Sequence, residues 1–478
     1  MGNIFFCMSK ITVLLLISGI FFLSLNTNAQ NNRSKSVTAP VLVPDTSKTN
    51  LLLPVLVKDN SLDVNGQYLT LKQCIEYALI HQPALNIASL NMDVTRTTNA
   101  ISLAGLLPQV NASGNLTHNI QRGFISSNGT VTQTKTGYAN TFIPGVEVSQ
   151  SLFNPGLLYA YKSAPLYEQQ ARQATDSVKI FLVAQVSKSF YTLLNTLEQI
   201  NVLKEDTARL GQSVRDAYHQ YKGGIVDETD YEEAAITLNN SRAQLRQAKE
   251  NVVPQYAFLK RLIGFPAEKQ FNVTFDTLEM MNNIHIDTNE QLQYEKRIEF
   301  QVLNTGKALQ SQMVDYYKFA WLPTLSAFYN YNLNFQNNNY NNILNSSYPT
   351  SLIGLSFSMP IFTGFARTNN VHRAQLEQKI LDWRETDLKS QINTEYSSAL
   401  ASYRSNYYNL QLLQKNVAMA RRVYFVVTLQ YKQGIVPYLN VITAESNLIS
   451  SEISYLNALF QVLSNKIDLQ KAMGNISY

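Results

Sequence analysis

The stretch Tyr221-Lys222-Gly223-Gly224-Ile225-Val226 returns further along the chain as Tyr431-Lys432-Gln433-Gly434-Ile435-Val436. A long stretch without proline precedes each copy, with one internal glycine in the first case and none in the second. A glycine that follows such a stretch is typical of a helix end at which the chain turns back. The two copies therefore predict two long helical hairpins of the same design.

Three further pairs of segments recur in the same order and at nearly the same shift. They are Leu107–Val110 with Leu322–Leu325, Ser149–Phe153 with Ser358–Phe362, and Leu262–Gly264 with Ala472–Gly474. Self-similarity at a fixed spacing indicates a repeated structural unit, so we infer a tandem duplication. Each copy has a helical segment (70–106, then 290–321), two strands, a long helix, a glycine turn and a shorter returning helix.

The N-terminus has the features of an export signal. Lys10 precedes an apolar stretch at 11–25, and the small residues Thr27 and Ala29 follow it. A retained anchor is the less favoured alternative, because the stretch is short for a membrane span; we expect cleavage after Ala29. The expected organisation is a signal peptide at 1–29, a polar leader at 30–67, a first repeat at 68–264, a connector at 265–289, a second repeat at 290–474 and a tail at 475–478.

The composition of the 478-residue chain excludes several classes of protein. A hydrophobic content of 45% with a formal net charge of +5 excludes an intrinsically disordered chain. No apolar run long enough for a transmembrane helix follows the predicted signal, which excludes a helical membrane transporter. The net charge is also too small and too evenly spread to favour a nucleic-acid partner.

The strand segments alternate between large apolar and small or polar residues. In the second repeat the apolar positions are Leu325, Ala327, Tyr329, Tyr331, Leu333 and Phe335, then Ile353, Leu355, Phe357, Met359 and Ile361. A period of two places them on one face of a sheet, and each segment has the roughly 9–11 residues that cross a bilayer. A soluble sandwich is the alternative. Because four strands cannot close a barrel and lipid excludes an open edge, spanning strands require several chains in one barrel.

The segment between Phe365 and Gln433 contains neither glycine nor proline, and predicts a helix about 100 Å long at 1.5 Å per residue. Its C-terminal part carries two heptad registers: Tyr396, Tyr403, Leu410, Val417, Tyr424 and Tyr431, and Ile392, Ala399, Asn406, Leu413, Ala420 and Val427. Such a stripe requires helical partners along its length. The returning helices, at 225–264 and 438–473, are shorter, so we expect the first helix of each repeat to cover the remainder.

A signal peptide, a tandem repeat, two strands and three helices per repeat, and Tyr-x-x-Gly-Ile/Val turns together resemble the TolC-like outer-membrane efflux family. The resemblance covers nearly the whole mature chain. It implies a mixed α/β membrane protein, in which a trimeric twelve-stranded outer-membrane β-barrel, with four strands per chain, continues into a long α-helical coiled-coil barrel in the periplasm. It also implies three kinds of partner besides the outer-membrane lipid: two further copies of the chain in a homotrimer, a periplasmic adaptor (membrane fusion) protein, and a proton-driven or ATP-driven inner-membrane pump.

The resemblance further implies functional residues near the two turns. Residues at the apex of each turn are expected to dock the adaptor: Gly223, Gly224, Ile225, Gly434 and Ile435. Three residues match positions of the family's periplasmic gate: Thr229, Asp230 and Tyr431.

The sequence departs from the family at other gate positions. Val436 stands where the best-known member of the family has a gate arginine, and Asn440 and Thr443 stand where that member has a ring of acidic residues. We therefore predict that packing and hydrogen bonds close the gate, with Tyr431 bonded to one of the other two gate residues. The alternatives are that Tyr431 is a packing residue of the heptad and that Asp230 is a solvated helix residue.

The sequence motifs of enzymes and metal sites are missing. The five histidines are scattered without metal-ligand spacing, and neither a nucleophile turn nor a phosphate-binding glycine loop occurs. The acidic pairs Asp227-Glu228 and Glu232-Glu233 are adjacent, and adjacent side chains on a helix point about 100° apart. We expect no enzymatic activity, no cofactor and no metal.

These observations predict an outer-membrane channel of a tripartite efflux or type I secretion system. It would conduct small molecules or exported substrates from a periplasmic adaptor–pump complex to the exterior. A non-conducting coiled-coil envelope scaffold, or a surface assembly protein, is the alternative. A polar, water-filled tunnel has little chemical selectivity of its own, so the sequence does not identify the substrate.

Overall fold

The computed structural model describes residues 68–127, 130–274, 284–287 and 290–477, all within one compact unit, Asp63–Tyr478. The predicted signal peptide and leader lie outside the described residues, as does part of the predicted connector. No helix in these ranges is both long enough and apolar enough to cross a membrane.

Four antiparallel strands form the main sheet. The strands of the described ranges are β1 (Tyr68–Leu69), β2 (Gln109–His118), β3 (Phe124–Ser127), β4 (Thr130–Lys135), β5 (Asn140–Phe153), β6 (Asn272–Val273), β7 (Thr324–Asn337) and β8 (Ser347–Ser358). The main sheet has the order β2-β5-β7-β8, so the strands of the second repeat follow those of the first without a crossover. β2 and β8 are its two edges.

The register of the main sheet places predicted apolar positions opposite one another. Tyr329 pairs with Ile353, so the two side chains share one face. Phe328 is a large residue on the other face, where it pairs with Gly354. A Cβ atom at Gly354 would lie 2.6 Å from the Phe328 ring, so the glycine provides the space that the ring fills.

Two smaller strand pairs lie outside the main sheet. β3 and β4 form an antiparallel hairpin, and β1 pairs in parallel with β6. Because β6 lies within the predicted connector, this segment is hydrogen-bonded to the start of the first repeat.

The two long helices and their returning partners form two hairpins. The α-helices of the described ranges are α1 (Leu71–His81), α2 (Pro83–Ala104), α3 (Pro155–Lys222), α4 (Glu228–Ile263), α5 (Ile298–Phe319), α6 (Ala366–Lys432) and α7 (Tyr438–Met473). α3 and α4 form the first hairpin, and α6 and α7 form the second. α3 has 68 residues and α6 has 67, so each is about 100 Å long.

Prolines shift some helix boundaries from their predicted positions. The predicted helical segment 70–106 consists of two helices, because Gln82 is extended and Pro83 begins α2. α3 begins at Pro155 and continues through Pro165, which costs one backbone hydrogen bond in its first turns. It is therefore longer than the proline-free stretch before Tyr221 from which the helix was predicted.

The heptad stripe of α6 is its buried side, as predicted. Tyr403, Leu410 and Val417 of one register are buried, as is Ile392 of the other, and the remaining members are half-buried. α5 and α7 pack against α6, whereas α2, α4, α5 and α7 pack against α3. The long helix of each repeat is thus covered in part by the helix that precedes the strands of that repeat, as expected.

The largest hydrophobic core lies where α1, α3, α4, α6 and α7 meet. Its most deeply buried side chains include Phe190, Leu193, Leu259, Ile263 and Leu463. Leu259, Ile263 and Leu463 lie near the C-terminal ends of α4 and α7. This core therefore holds both hairpins at the ends opposite their turns.

Candidate functional site

The two hairpin turns have the same backbone structure. In the first turn the amide of Gly224 donates to the carbonyl of Tyr221 at 2.9 Å, and the amide of Ile225 donates to Gln220 at 2.9 Å. In the second, Gly434 donates to Tyr431 and Ile435 donates to Gln430 in the same pattern. These are Schellman motifs, in which the glycine adopts a left-handed conformation. The φ angles of Gly224 and Gly434 are 69° and 71°.

The apex of each turn presents an apolar side chain to solvent. Ile225 is 76% exposed and Ile435 is 69% exposed. A Cβ atom at Gly224 or Gly434 would contact nothing within 4 Å. These two glycines are therefore needed for their backbone conformation and not for space, and the isoleucines are the groups that a partner would touch.

The two tips differ in charge. The first turn of α4 contains Glu228 and Asp230, whereas the first turn of α7, which begins after Pro437, contains no acidic residue. Carboxylates at a helix N-terminus interact favourably with the helix dipole. The first tip is therefore acidic where the second is neutral.

A small apolar cluster joins the two hairpins behind the turns. Its buried members are Ala217 of α3, Ala234 of α4, and Tyr438 and Val441 of α7. Tyr431 packs against it, and the rings of Tyr431 and Tyr438 lie 5.3 Å apart. Packing across the hairpins thus contributes to holding the tip together.

The predicted hydrogen-bond partner of the Tyr431 hydroxyl was wrong. The sequence favoured Thr229 or Asp230, but the Tyr431 hydroxyl donates to Oε1 of Gln220 at 2.5 Å. Gln220 lies in the last turn of α3, next to the tip. Tyr431 therefore links α6 to the first hairpin through α3 and not through the start of α4.

The other two predicted gate residues lie near this bond without forming it. Thr229 is exposed and Asp230 is half-buried. Burial raises the pKa of Tyr431, and the nearby carboxylates of Asp230 and Asp216 raise it further. Asp230 therefore acts on Tyr431 through its charge, and the structure leaves its assignment as a gate residue a prediction.

The positions that depart from the family do not form an acidic ring within the chain. Asn440 and Thr443 are exposed on α7, and the Thr443 hydroxyl donates back to the carbonyl of Leu439 at 2.9 Å. Val436 is half-buried between the turn and the start of α7. These side chains are uncharged, so they supply neither carboxylates nor a guanidinium at the tip.

Sequence reasoning missed a buried charged group between the hairpins. Asp206 accepts a hydrogen bond from the Ser241 hydroxyl of α4 at 2.7 Å. Arg209 lies 3.5 Å from Asp206 and 3.5 Å from Glu445 of α7. α3 and α7 thus bring two carboxyl groups and one guanidinium together, and α4 adds the Ser241 hydroxyl.

A signal for this group was present in the sequence. Asp206 lies between the buried Leu203 and Leu210 at helical spacings of three and four. Glu445 likewise lies between the buried Val441 and Leu448. An acidic residue in the apolar register of a helix faces the interior, so this register was a signal, not used in the sequence analysis, that both carboxyl groups are buried.

The described residues contain no arrangement that suggests catalysis or metal binding. Among them, no group of three or more His, Cys, Asp or Glu side chains is placed to hold a metal ion. His81 stacks on Tyr77 with ring centroids 4.0 Å apart, and Cys74 is buried in the core. These side chains have packing roles.

Comparison with known proteins identifies the family. Residues 74–265 and 308–475 match the family described as outer membrane efflux protein. The chain belongs to the outer membrane efflux protein family. It is 20% identical to outer membrane protein TolC of Vibrio cholerae over 391 residues, 79% of this chain and 84% of the relative. It is 21% identical to the probable efflux pump outer membrane protein TtgC of Pseudomonas putida over 407 residues, 84% of this chain and 82% of the relative.

Solved structures share the fold of this efflux protein. A crystal structure of CusC matches with a TM-score of 0.70 at 18% identity, covering 90% of this chain and 99% of that one. The CmeC outer membrane channel of Campylobacter jejuni matches with a TM-score of 0.68 at 19% identity, with 85% of each chain covered. The fold is therefore that of TolC-like outer-membrane channels, a helical barrel with a β domain.

The family fixes the class and location of the protein. Members of this family of channel proteins are trimeric outer-membrane channels that work with adaptor proteins and inner-membrane pumps. This efflux protein is an outer-membrane channel with its helical part in the periplasm.

Proposed function

We propose that three copies of this chain form one conducting channel, which takes substrates from a periplasmic adaptor and an inner-membrane pump to the exterior. The observation that carries the proposal is the pair of open edges of the main sheet. β2 and β8 each have a neighbour on one side only within the described residues. Because an open edge is excluded in lipid, β8 of one copy would pair with β2 of the next.

The direction and surface of the edge strands support this pairing. The four strands alternate in direction, so β8 of one copy and β2 of the next meet antiparallel. Side chains of β8 are among the most exposed apolar groups of the chain, including Ile353 and Leu355, as expected for a lipid-facing strand. Three copies of four strands make the twelve-stranded barrel that the family resemblance implies.

Two exposed stripes on the helices support the same arrangement. On α2, Ile87, Leu90 and Val94 are exposed, and on α6, Leu376, Ile380 and Trp383 are exposed. α2 ends just before β2, and α6 begins just after β8. Along the helix axis, Val94, Leu90 and Ile87 lie about 15, 21 and 26 Å from the end of α2. Leu376, Ile380 and Trp383 lie at the same distances from the start of α6. The stripe of one copy would therefore pack against that of the next, level by level.

Cross-linking tests this arrangement directly. We expect a copy with Ile87→Cys and Trp383→Cys to form disulfide-linked trimers in the outer membrane, because the two positions are level on neighbouring copies. The matched control is Ile87→Cys with Leu429→Cys, an exposed position near the other end of α6. Cross-linking in the control but not in the test pair would contradict the proposed interface.

Conductance separates a channel from a scaffold. We expect the purified protein to conduct ions in planar bilayers, with a single step per trimer. A stable trimer that never conducts, with or without adaptor, would favour the coiled-coil scaffold or surface assembly protein. The pump type, the substrate and whether the system exports small molecules or proteins depend on the partners.

The exposed isoleucines at the tips would dock the adaptor. Ile225→Ser and Ile435→Ser together should abolish adaptor-dependent export while the trimer remains in the membrane, because the glycine turns stay intact. Val253→Ser, which replaces an exposed apolar residue of α4 far from the tip, is the control. Unchanged export in the double tip variant would argue against these tips as the docking site.

The gate and the processing of the chain complete the proposal. Tyr431, with Thr229 and Asp230 nearby, would help to close the periplasmic end, and the uncharged Asn440 and Thr443 would leave the pore insensitive to low concentrations of divalent cations. Cleavage after Ala29 would release the mature chain. N-terminal sequencing of protein from the outer membrane tests that site, and a mature chain that retains residues 1–29 would exclude it.

A further inference from the structure

Two buried acidic side chains join the hairpins a short distance behind the tips. Asp206 of α3 and Glu445 of α7 are each 1% exposed. Glu445 lies about two turns, or about 10 Å, from the start of α7 at Tyr438. The two residues therefore lie on different hairpins, and both become accessible to water if the hairpins separate.

The hydrogen bonds of this group leave Glu445 with weaker partners than Asp206. Asp206 accepts from the Ser241 hydroxyl at 2.7 Å, whereas no donor among the described residues is in good hydrogen-bond geometry with either carboxyl oxygen of Glu445. The polar neighbours of Glu445 are Arg209 and the Tyr424 hydroxyl. Its nearest positive charge is Nε of Arg209 at 3.5 Å, and that guanidinium is shared with Asp206. With both acids ionised the group would carry one uncompensated negative charge in the interior, which is strongly unfavourable.

The surrounding helices do not supply the missing positive charge. α6 faces Glu445 with the neutral hydroxyl of Tyr424, and Tyr438 lies on α7 itself. Arg421 of α6 is bonded to Glu452 of α7 at 2.7 Å, and Glu452 adds further negative potential at Asp206. Arg209 is therefore the cation that faces the two buried acids.

These surroundings favour the protonated form of Glu445. Burial, followed by the charge of Asp206, raises the pKa of Glu445 to about 7 from the ordinary value of 4.5, although Arg209 opposes the shift. Burial also raises the pKa of Asp206. When the hairpins separate, water reaches Glu445 and its pKa returns towards the ordinary value.

We propose that Asp206, Arg209 and Glu445 form a proton-sensitive joint between the two hairpins, which holds the tip closed in acid and loosens it as the pH rises to neutral. This inference rests on the proposed channel function. The closed form binds the proton of Glu445 more tightly than the separated form, so acid stabilises the closed form. The stabilisation is complete below the ordinary pKa and is lost as the pH rises through the pKa of the closed form.

The joint differs from the Tyr431 contact at the tip. Tyr431 and Gln220 form a neutral hydrogen bond, which is insensitive to pH in the neutral range. Lys188 of α3 and Asp468 of α7 form an ion pair between the same two helices near the core. That carboxylate is paired and is partly exposed to water, so it serves as a control for the loss of a carboxylate between α3 and α7.

Conductance at varied pH tests the joint. For the wild-type channel in planar bilayers, we expect the ratio of open to closed channels to rise on the order of tenfold between pH 5.5 and pH 8. Glu445→Gln, which fixes the neutral form, should stay mostly closed across this range. Arg209→Gln removes the opposing charge and should shift the midpoint to higher pH. Asp468→Asn should keep the wild-type midpoint.

A second measurement separates this inference from the channel proposal. Infrared difference spectra of the full-length protein should show a protonated carboxyl band that disappears near pH 7 and is lost in Glu445→Gln. A protein that never conducts but shows this band would refute the channel and keep the joint. A conducting channel in which Glu445→Gln has the wild-type pH profile would overturn the joint.

Discussion

The two long helices, α3 and α6, are nearly equal in length and end in the same turn, but they differ sharply in burial. Nineteen residues of α3 are buried and five residues of α6 are. The difference follows from position, since α3 packs against α1, α2, α4, α5 and α7, whereas α6 packs mainly against α5 and α7 and reaches α3 through contacts such as that of Tyr431. A repeated sequence plan thus produced one helix covered by its own chain and one that keeps an exposed side, which the proposed trimer would cover.

The largest expected effect comes from the covered helix. Phe190 of α3 is almost fully buried in the core, so Phe190→Ala should lower the free energy of unfolding by about 3–5 kcal/mol. Trp383 of α6 is 75% exposed, so Trp383→Ala should leave the unfolding of the single chain nearly unchanged and weaken the trimer. Denaturant titration in detergent and native mass spectrometry measure the two effects. Equal destabilisation of the single chain by both variants would contradict the difference in burial between α3 and α6.

The glycines that end the returning helices test whether the two hairpins are equally fixed at their core ends. Gly264 and Gly474 have positive φ angles, and a Cβ atom would lie 2.5 Å from the carbonyl oxygen of His81 in the first case and 2.7 Å from that of Lys296 in the second. Gly264→Ala and Gly474→Ala should each lower the free energy of unfolding. The expected loss is at or above the upper end of the usual range for such backbone strain, which is about 1–3 kcal/mol. Thermal unfolding measures the loss.

The matched control for these glycines is Gly224→Ala at the tip. It has the same backbone conformation, but the added methyl group meets nothing within 4 Å, so only the strain of about 1–2 kcal/mol applies. A loss at Gly224 as large as that at Gly264 would show that the close approach to His81 contributes little.

Arg297 distinguishes the second hairpin from the first. It is buried at the start of α5, and it donates to the carbonyl of Ala472 at 3.1 Å, to Glu299 at 2.9 Å and to Glu395 of α6 at 2.8 Å. Arg297→Met removes these bonds and should destabilise the fold by about 1.5–3 kcal/mol. Hydrogen exchange should rise at the C-terminal end of α7 more than at that of α4. Equal increases in both hairpins would contradict this role.

Tyr431→Phe is expected to have the smallest effect on stability. The variant loses the hydrogen bond to Gln220 but keeps the ring packing, so the cost is about 0.5–1.5 kcal/mol per chain. Basal conductance of the channel should rise modestly. Gln220→Leu should raise it by a similar amount, and the double variant should add little, because both changes remove one bond. If the effects of the two single variants add in the double variant, the Tyr431 hydroxyl does not act through its bond to Gln220.

Much of the fold was accessible from the sequence because it depends on short-range rules. The period of two in β7 and β8, the heptad of α6, and the glycines at the tips each act over a few residues. The proline-free stretch did not predict that α3 begins before Pro165, because a proline near the start of a long helix is tolerated there when packing stabilises the remaining turns. The register of β6 with β1 joins distant segments, and no local pattern specifies it.

The candidate site was predicted in part. The positions of the two turns were predicted from the repeat, whereas the docking role of their residues, which the resemblance implied, stays a prediction. The partner of Tyr431 was wrong because the choice between Gln220 and Asp230 depends on how α6 is rotated against the first hairpin. Asp206 and Glu445 were missed although their apolar registers were visible, since a register shows that a residue is buried but not which residue faces it.

The sequence by itself determined the repeated plan, the order of the main helices and strands, the left-handed glycine turns and the absence of charge at Asn440 and Thr443. These follow from local backbone preferences and from the alternation of apolar residues. The tertiary structure decided which helix is covered, which donor meets which acceptor at the tip, and that two acids share one arginine between the hairpins. Such contacts join residues far apart in the chain, so they are set by the angle and register at which helices pack and not by any nearby residue.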